Sequence, residues 1–182
     1  MFIRVTALPF RKVSETTGSW TNHVGIVVAT DGAEPVIAES TFPLSKRGAL
    51  SRFLDRSEGG RVEISRLNSP PTAAQQQVLA RAAQKRLGIF YDTGFDLHSN
   101  RQFCSRFVHE VVHEATGINV GEVETFSAML ARNPDTKLGF WRVWYFGSIP
   151  WQRETVTPAS VMNSPQLRPV FDGYVKPANA SA

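Results

Sequence analysis

The amino-acid sequence predicts a single α+β domain. Its 182 residues are enough to bury a core of ordinary size. Runs rich in β-branched residues predict strands at 2–8, 23–30, 35–41 and 61–67. Amphipathic runs bounded by capping and terminating residues predict helices at 48–57, 72–88, 104–117 and 125–132. We detect no internal repeat and no linker, so these elements are expected to share one core.

The turn dipeptide Asp31-Gly32 separates two of the predicted strands, 23–30 and 35–41. Asp-Gly favours a tight turn, so we expect these strands to form an antiparallel hairpin. Side chains on paired strands share a face only when they are directly opposite or an even step apart. If His23 faces Glu39, the loop closes at this turn, whereas a slip of one residue would send Glu39 to the other face.

The helix predicted at 72–88 has the clearest boundaries. Thr72 is expected to cap its first turn, with Gln75 completing a capping box, and Gly88 is expected to terminate it. Further along, 137–151 holds three tryptophans and predicts a buried strand and turn, because aromatic clusters usually belong to the core.

The predicted domain covers residues 1–165. Beyond them the chain is rich in Pro, Asn, Ala and Ser, and a loose C-terminal tail is expected at 166–182.

Composition limits the classes of function. A hydrophobic fraction of 42% and a charged fraction of 20% are typical of a globular protein in water. No apolar run reaches the roughly 20 residues that cross a bilayer, so no integral membrane contact is expected. The start of the chain lacks the features of a signal peptide, and one cysteine fits a reducing compartment, so a bacterial cytoplasmic location is expected.

Charge permits an anionic ligand without pointing to nucleic acid. The net charge is +4 and the isoelectric point is about 9.6. The basic stretch 46–66 lacks the spacing of any nucleic-acid-binding motif, so a solvated surface is expected there and no nucleic-acid partner. The sequence leaves the oligomeric state open.

The segment CSRFVHEVVHEATG, 104–117, carries the signatures of two enzyme classes. Its first residue, Cys104, is the one cysteine of the chain, and a helix start favours a thiolate. His109 to His113 spell H-E-x-x-H, which on a helix can hold catalytic zinc. On a helical wheel Cys104 shares its face with the apolar residues Phe107, Val108, Val111, Val112 and Ala115. The two histidines fall on the opposite, water-facing side.

Zinc catalysis also requires a third protein ligand. The elongated form of the motif needs Gly and His where this chain has Thr116 and Asn119. His98, Glu122 and Glu124 could be recruited, but nothing in their spacing marks them as ligands. We therefore expect no metal site, and solvated His and Glu side chains instead.

Cysteine catalysis needs a base, and His23 is the candidate. His23 opens the apolar strand HVGIVV, and Glu39 lies within the apolar run VIAES of the hairpin's other arm. Buried ionisable groups need partners, and a structural role is the common outcome for each of them. If the three meet, Cys104 attacks as a thiolate, His23 transfers the proton, and Glu39 orients the imidazole ring. The backbone N–H of Cys104 would be one oxyanion donor, with Tyr91 or Gln102 as candidates for a second.

The stretches WTNHVGIVV, VIAES, YDTGF and RQFCSRFV resemble the circularly permuted papain-like amidases related to NlpC/P60, in the YiiX/YebB-like group. The order His23, Glu39, Cys104 is the permuted order. The resemblance implies a papain-like α+β fold with an antiparallel sheet packed against helices, and a Cys-His-Glu triad. It also implies cofactor-free hydrolysis of, or transfer from, an amide, thioester or ester in a small-molecule, peptide or acyl substrate. Relatives usually carry Gly-Asp before the first strand, where this chain has Met1.

Two other functions remain open. The same residue order occurs in lecithin:retinol acyltransferase-like proteins, in which the thiol moves an acyl chain between lipids. Some papain-like relatives have lost activity and bind ligands, so an inactive binding module is the alternative that is not an enzyme. The reactivity of Cys104 distinguishes that module from both enzymes.

Overall fold

The computed structural model describes residues 1–175. Within them the strands are β1 Phe2–Ile3, β2 His23–Val24, β3 Ile26–Ala29, β4 Val36–Glu39, β5 Lys46–Ala49, β6 Arg61–Leu67, β7 Val123–Thr125, β8 Glu154–Val156 and β9 Leu167–Tyr174. The helices are α1 Leu8–Thr17, α2 Leu50–Leu54, α3 Ala73–Lys85, α4 Cys104–Thr116, α5 Phe126–Arg132, α6 Gly139–Trp144 and α7 Pro158–Met162, with a short 3₁₀ turn at Glu58–Gly60.

The strands form three antiparallel sheets. Their orders are β2-β1-β6-β9, β3-β4-β5 and β7-β8. The predicted hairpin is confirmed as β3–β4, in which Ile26 pairs with Ala38. The predicted α+β class is therefore confirmed.

Gly25 divides the run predicted as one strand into β2 and β3. A Cβ at this position would lie 2.7 Å from Cγ2 of Ile37 and 2.8 Å from Cε2 of Phe53. Only glycine allows the backbone to pass this close to those side chains. The break assigns β2 to the first sheet and β3 to the second, so His23 lies where the two sheets meet.

Helix α4 lies against α3, β2, β4, β8 and α7. All five apolar residues predicted to share a face with Cys104 are buried, which confirms the predicted packing face. The helix ends at Gly117, whose φ of 74° is in the left-handed region that glycine adopts readily. The predicted capping box of α3 between Thr72 and Gln75 is also present, although α3 ends at Lys85, before Gly88.

The predicted elements at 2–8 and at 137–151 differ from the structure. The strand predicted at 2–8 stops at Ile3. Helix α1 begins at Leu8, with Pro9 in its first turn, and ends at Thr17, where Gly18 caps it. The strand and turn predicted at 137–151 are wrong, because residues 139–144 form α6. There Phe140 stacks on Trp144 and Trp141 on Tyr145, with ring centroids 5.3 and 6.0 Å apart. Aromatic residues four apart lie side by side on a helix.

The prediction of a loose tail at 166–182 is wrong for most of the tail residues that the structure describes. Residues Leu167–Tyr174 form β9, which pairs along its length with β6, from Arg61↔Tyr174 to Leu67↔Leu167. The backbone hydrogen bonds of this ladder order a segment whose composition alone indicates no ordered structure. Residues 176–182 of the predicted tail lie outside the described residues.

No helix among residues 1–175 is long and apolar enough to span a bilayer.

Candidate active site

His23 and Glu39 form a buried pair where β2, β3 and β4 meet. The pairing of Ile26 with Ala38 places Gly25 opposite Glu39 if the register is continued, so His23 lies an even step away, on the same face. Nε2 of His23 lies 2.5 Å from Oε2 of Glu39, and the two side chains are 0% and 6% exposed. The side chains therefore meet through a two-residue offset rather than by direct opposition.

Aromatic contacts hold the His23 ring in place. Phe10 approaches it edge-on, with centroids 5.7 Å apart, and Phe53 packs at 5.9 Å. With Nε2 bound to Glu39, Nδ1 is the remaining ring nitrogen, and it is buried without a hydrogen-bond partner among the described residues. This nitrogen is the one free to exchange a proton.

Arg56 is a member of this cluster that the sequence did not single out. Its Nη2 donates to both oxygens of Glu39, at 2.6 and 2.7 Å, and its guanidinium lies 5.2 Å from the centroid of Phe53. Arg56 follows α2, and in the sequence it was one basic residue among several in 46–66. No spacing rule could have linked it to Glu39, because the contact depends on how α2 folds back over β4.

Cys104 is the first residue of α4 and is buried. The helix start is anchored by Ser105, whose hydroxyl donates to the Val156 carbonyl at 2.6 Å. The first backbone N–H groups of a helix have no acceptor within it, and their partial positive charge favours an anion at this position.

Cys104 and His23 are electrostatically linked. Burial alone would raise the pKa of the Cys104 thiol, but the positive charge of His23 outweighs it, and the pKa lies below its ordinary value. Burial likewise acts to lower the pKa of His23, but the charges of Cys104 and Glu39 raise it to about 9. Both shifts favour a thiolate–imidazolium pair at neutral pH.

Glu39 is held as a carboxylate. Burial acts to raise its pKa, but His23 and then Arg56 outweigh that effect and lower the pKa to about 2. Glu39, ionised at neutral pH, can accept the Nε2–H of His23 and stabilise the imidazolium.

The structure separates the two oxyanion candidates, Tyr91 and Gln102. Tyr91 lines the same cleft as Cys104, and its hydroxyl is buried with no hydrogen-bond partner among residues 1–175. Burial and the charge of Cys104 keep the pKa of Tyr91 well above its ordinary value, so it remains a phenol. Gln102 instead donates its side-chain amide to Glu110 of α4, at 2.9 Å, and does not line the cleft.

The cleft beside Cys104 is narrow, with a cavity volume of about 40 Å³. Most of its walls are apolar, and they come from α1, α5, α6 and the loop before α4. The apolar lining residues include Phe10, Val13, Phe95, Phe126, Met129 and Trp141. This volume holds a few water molecules or one small apolar group of a ligand.

The H-E-x-x-H residues of α4 have other partners. Nδ1 of His109 lies 2.8 Å from the Val120 carbonyl oxygen, and His113 is exposed. Glu110 accepts hydrogen bonds from Arg86, Gln102 and Arg106. Within the described range 1–175, no three His, Cys, Asp or Glu side chains are grouped so that they could hold a metal ion.

Comparison with known proteins assigns the chain to a family. A family described as "Permuted papain-like amidase enzyme, YaeF/YiiX, C92 family" matches residues 1–171. The chain is 30% identical to "Uncharacterized protein YiiX" of Escherichia coli K12 over 149 residues, which are 82% of this chain and 72% of that protein. A crystal structure described as the metalloprotein yiiX of Escherichia coli O157:H7 is 26% identical, with a TM-score of 0.84 over 96% of this chain and 95% of that chain. The chain therefore belongs to the permuted papain-like amidase family of YaeF and YiiX and has its fold.

Proposed function

We propose that this protein is a cysteine hydrolase that cleaves an amide or related acyl bond through a covalent acyl-enzyme. Cys104 is the nucleophile, His23 the general base and acid, and Glu39 the carboxylate that orients His23. One observation carries the proposal: the buried His23–Glu39 pair leaves only Nδ1 free, next to a thiol at a helix start.

In the acylation step, the Cys104 thiolate attacks the carbonyl carbon of the substrate and a C–S bond forms. His23 donates its Nδ1 proton to the leaving amine as the C–N bond breaks, which leaves a thioester on Cys104 and a neutral imidazole. Glu39 keeps its hydrogen bond to Nε2 throughout and so fixes the ring orientation.

In the deacylation step, neutral His23 takes a proton from water, and the hydroxide oxygen attacks the thioester. The C–S bond breaks, a carboxylic acid leaves, and the thiolate–imidazolium pair is restored. The same histidine therefore acts first as acid and then as base.

The negative charge on the carbonyl oxygen needs donors during both steps. The backbone N–H of Cys104 is one, since it opens α4. The Tyr91 hydroxyl is the second donor that the geometry favours, because it is buried, protonated and unpartnered beside Cys104. Gln102, which is engaged by Glu110, is a weaker candidate.

The cleft favours a substrate with an apolar group next to the scissile bond. Removing such a group from water among the aromatic walls contributes binding free energy. This observation also supports a second candidate, transfer of a lipid-derived acyl group to an acceptor other than water. Product analysis with and without an added amine or alcohol acceptor distinguishes hydrolysis from transfer.

No step of the proposed reaction is assigned to a metal ion. The related yiiX structure is described as a metalloprotein, but the donor atoms of residues 1–175 do not converge as a ligand set. Metal analysis of the purified protein, compared with a His109→Ala variant, tests this part of the proposal.

The experiment that tests the proposal is the pH dependence of Cys104 alkylation by iodoacetamide, followed by intact mass. The pKa of a free thiol is about 8.5. An alkylation rate that stays high well below this pH would support the thiolate–imidazolium pair. An ordinary thiol profile would contradict it and favour an inactive binding module. Turnover of amide, ester and thioester substrates with apolar acyl groups then identifies the bond that is cleaved.

A further inference from the structure

Helix α6 and the two residues that follow it present apolar side chains on two sides. Trp141 and Tyr145 point inward and line the cleft beside Cys104. Val143 and Phe146 point outward and are 80% and 97% exposed, the largest exposures among the large apolar residues of the described chain. The outward residues leave an apolar protrusion in water, which contributes nothing to the core.

The backbone at Phe146 is also unusual. Its φ is 51°, in the left-handed region that phenylalanine rarely adopts. The strained residue therefore directs an aromatic ring outward, next to the short turn that follows α6. Trp151, 43% exposed, lies beyond this turn and contacts Phe126, whose ring in turn contacts Tyr145.

Basic residues lie near this protrusion along the chain. Residues 132–153 contain four basic side chains and one acidic side chain. Arg132 and Arg153 are paired with carboxylates. Lys137 and Arg142 are exposed and form no ion pair within the described part of the chain. We call Lys137, Arg142, Val143, Phe146 and Trp151 the α6 surface.

We propose that the α6 surface binds the surface of an anionic lipid membrane. Exposed aromatic and aliphatic side chains enter the boundary between headgroups and acyl chains, and flanking Lys and Arg side chains attract anionic headgroups. A second copy of the chain fits this surface less well, because a symmetric contact would bring unpaired cations of the two copies together. The contact is peripheral, through side chains of a short helix and the turn after it.

Binding at this surface would bring the cleft close to the membrane. The same segment contributes Trp141 and Tyr145 to the cleft wall, so a group leaving the bilayer would reach the cleft along it. The surface does not depend on the catalytic roles proposed above. Cys104→Ala is therefore expected to bind vesicles as tightly as the wild-type chain, which separates failure of this inference from failure of the proposed reaction.

The test is co-sedimentation of the full chain with two kinds of vesicle, pure phosphatidylcholine and phosphatidylcholine with about 30% phosphatidylglycerol. The expected result is binding to the anionic vesicles that weakens as salt is raised, with little binding to the neutral ones. The double variant Val143→Ser/Phe146→Ser is expected to bind the anionic vesicles at least about tenfold more weakly, since it removes two exposed apolar groups that the membrane would bury.

The matched control is Tyr174→Ser, which removes another exposed aromatic side chain, 73% exposed on β9. It is expected to bind like the wild-type chain. An unchanged circular dichroism spectrum and an unchanged Cys104 alkylation rate establish that the double variant is folded.

Three outcomes would overturn the proposal. One is absence of wild-type binding to either vesicle, and another is equal loss of binding in Tyr174→Ser and the double variant. The third is a wild-type dimer in light scattering that the double variant converts to monomer without any vesicle binding, because the occupant would then be a second copy.

Discussion

Helix α4 carries two catalytic signatures, Cys104 at its start and H-E-x-x-H at 109–113. The two signatures have different surroundings. At its start, Cys104 is buried beside His23, which is bound to Glu39 at 2.5 Å. One and two turns later, His109 contacts a backbone carbonyl and His113 faces solvent. Residue types suited to catalysis occur at both places, but Cys104 is buried against the charge of His23, whereas His113 is in water.

The difference teaches which property of a motif matters. The pKa of Cys104 is lowered and that of His23 is raised because each is buried against the other's charge. A side chain in water is screened, and its neighbours change its pKa little. Burial together with a charge partner, rather than the spacing of a motif, distinguishes Cys104 from the H-E-x-x-H residues.

The largest expected difference is between alanine substitutions at the two signatures. Cys104→Ala removes the nucleophile, so we expect turnover of the acyl substrate to fall by about 10³-fold or more. The matched variant His109→Ala/His113→Ala is expected to change turnover by less than about twofold, since neither side chain reaches the cleft. The measurement is turnover at neutral pH with both variants checked for folding. Loss of activity in the histidine variant with an active Cys104→Ala would reverse our assignment.

The next effect concerns the base. His23→Ala removes the positive charge that stabilises the thiolate, so the pKa of Cys104 should rise toward or above that of a free thiol. We expect alkylation by iodoacetamide at pH 6 to slow by about tenfold or more, and turnover to fall by about 10³-fold. The pH–rate profile of alkylation is the readout. An unchanged profile would mean that another group stabilises the thiolate.

A smaller loss is expected for Glu39→Gln, which keeps the shape and leaves His23 in place but removes the charge. Turnover should fall by about 10²-fold or more, within the range for loss of acid–base catalysis. The pKa of Glu39 is lowered to about 2, so its ionised form stabilises the fold fully above pH 4.5, and this contribution is lost as the pH falls toward 2. The pKa of His23 is raised to about 9, so its contribution is full below pH 6.5 and is lost as the pH rises through 9.

Denaturant unfolding across this pH range tests both contributions. Glu39→Gln should have a flatter stability profile on the acid side, between pH 4.5 and 2, because the titrating carboxyl is gone. Its loss of stability on the alkaline side should also shrink, since Glu39 helps to raise the pKa of His23. A profile identical to that of the wild-type chain would show that the pair does not titrate as described.

The smallest effect is expected for Arg56→Ala. Its loss frees the outer side of Glu39 but leaves the His23 contact, so turnover should fall by less than about tenfold. The pKa of Glu39 should rise because one of its two cationic partners is removed, and the acid limb of the activity profile should move to higher pH. Arg52→Ala, on the exposed side of α2, is the matched control and should move neither. Equal effects in both variants would contradict a specific role for Arg56.

Much of this molecule could be predicted from local sequence. β6 has the predicted bounds 61–67, the α3 capping box is present, and the buried face of α4 follows from helical periodicity. These features depend on residues within one or two turns of each other, and local propensity and periodicity carry that information. The strand predicted at 137–151 is wrong because aromatic content indicates burial and not a strand, whereas the four-residue stacking in this segment is helical.

The sequence by itself determined which residues could carry the chemistry: one cysteine at a helix start, and a histidine and a glutamate in apolar strands. Only the tertiary structure decided that His23 and Glu39 meet, that Arg56 covers Glu39, and that β9 completes the first sheet. The physical reason is sequence distance. These contacts join segments that no local propensity connects, so their formation depends on the packing of the whole core.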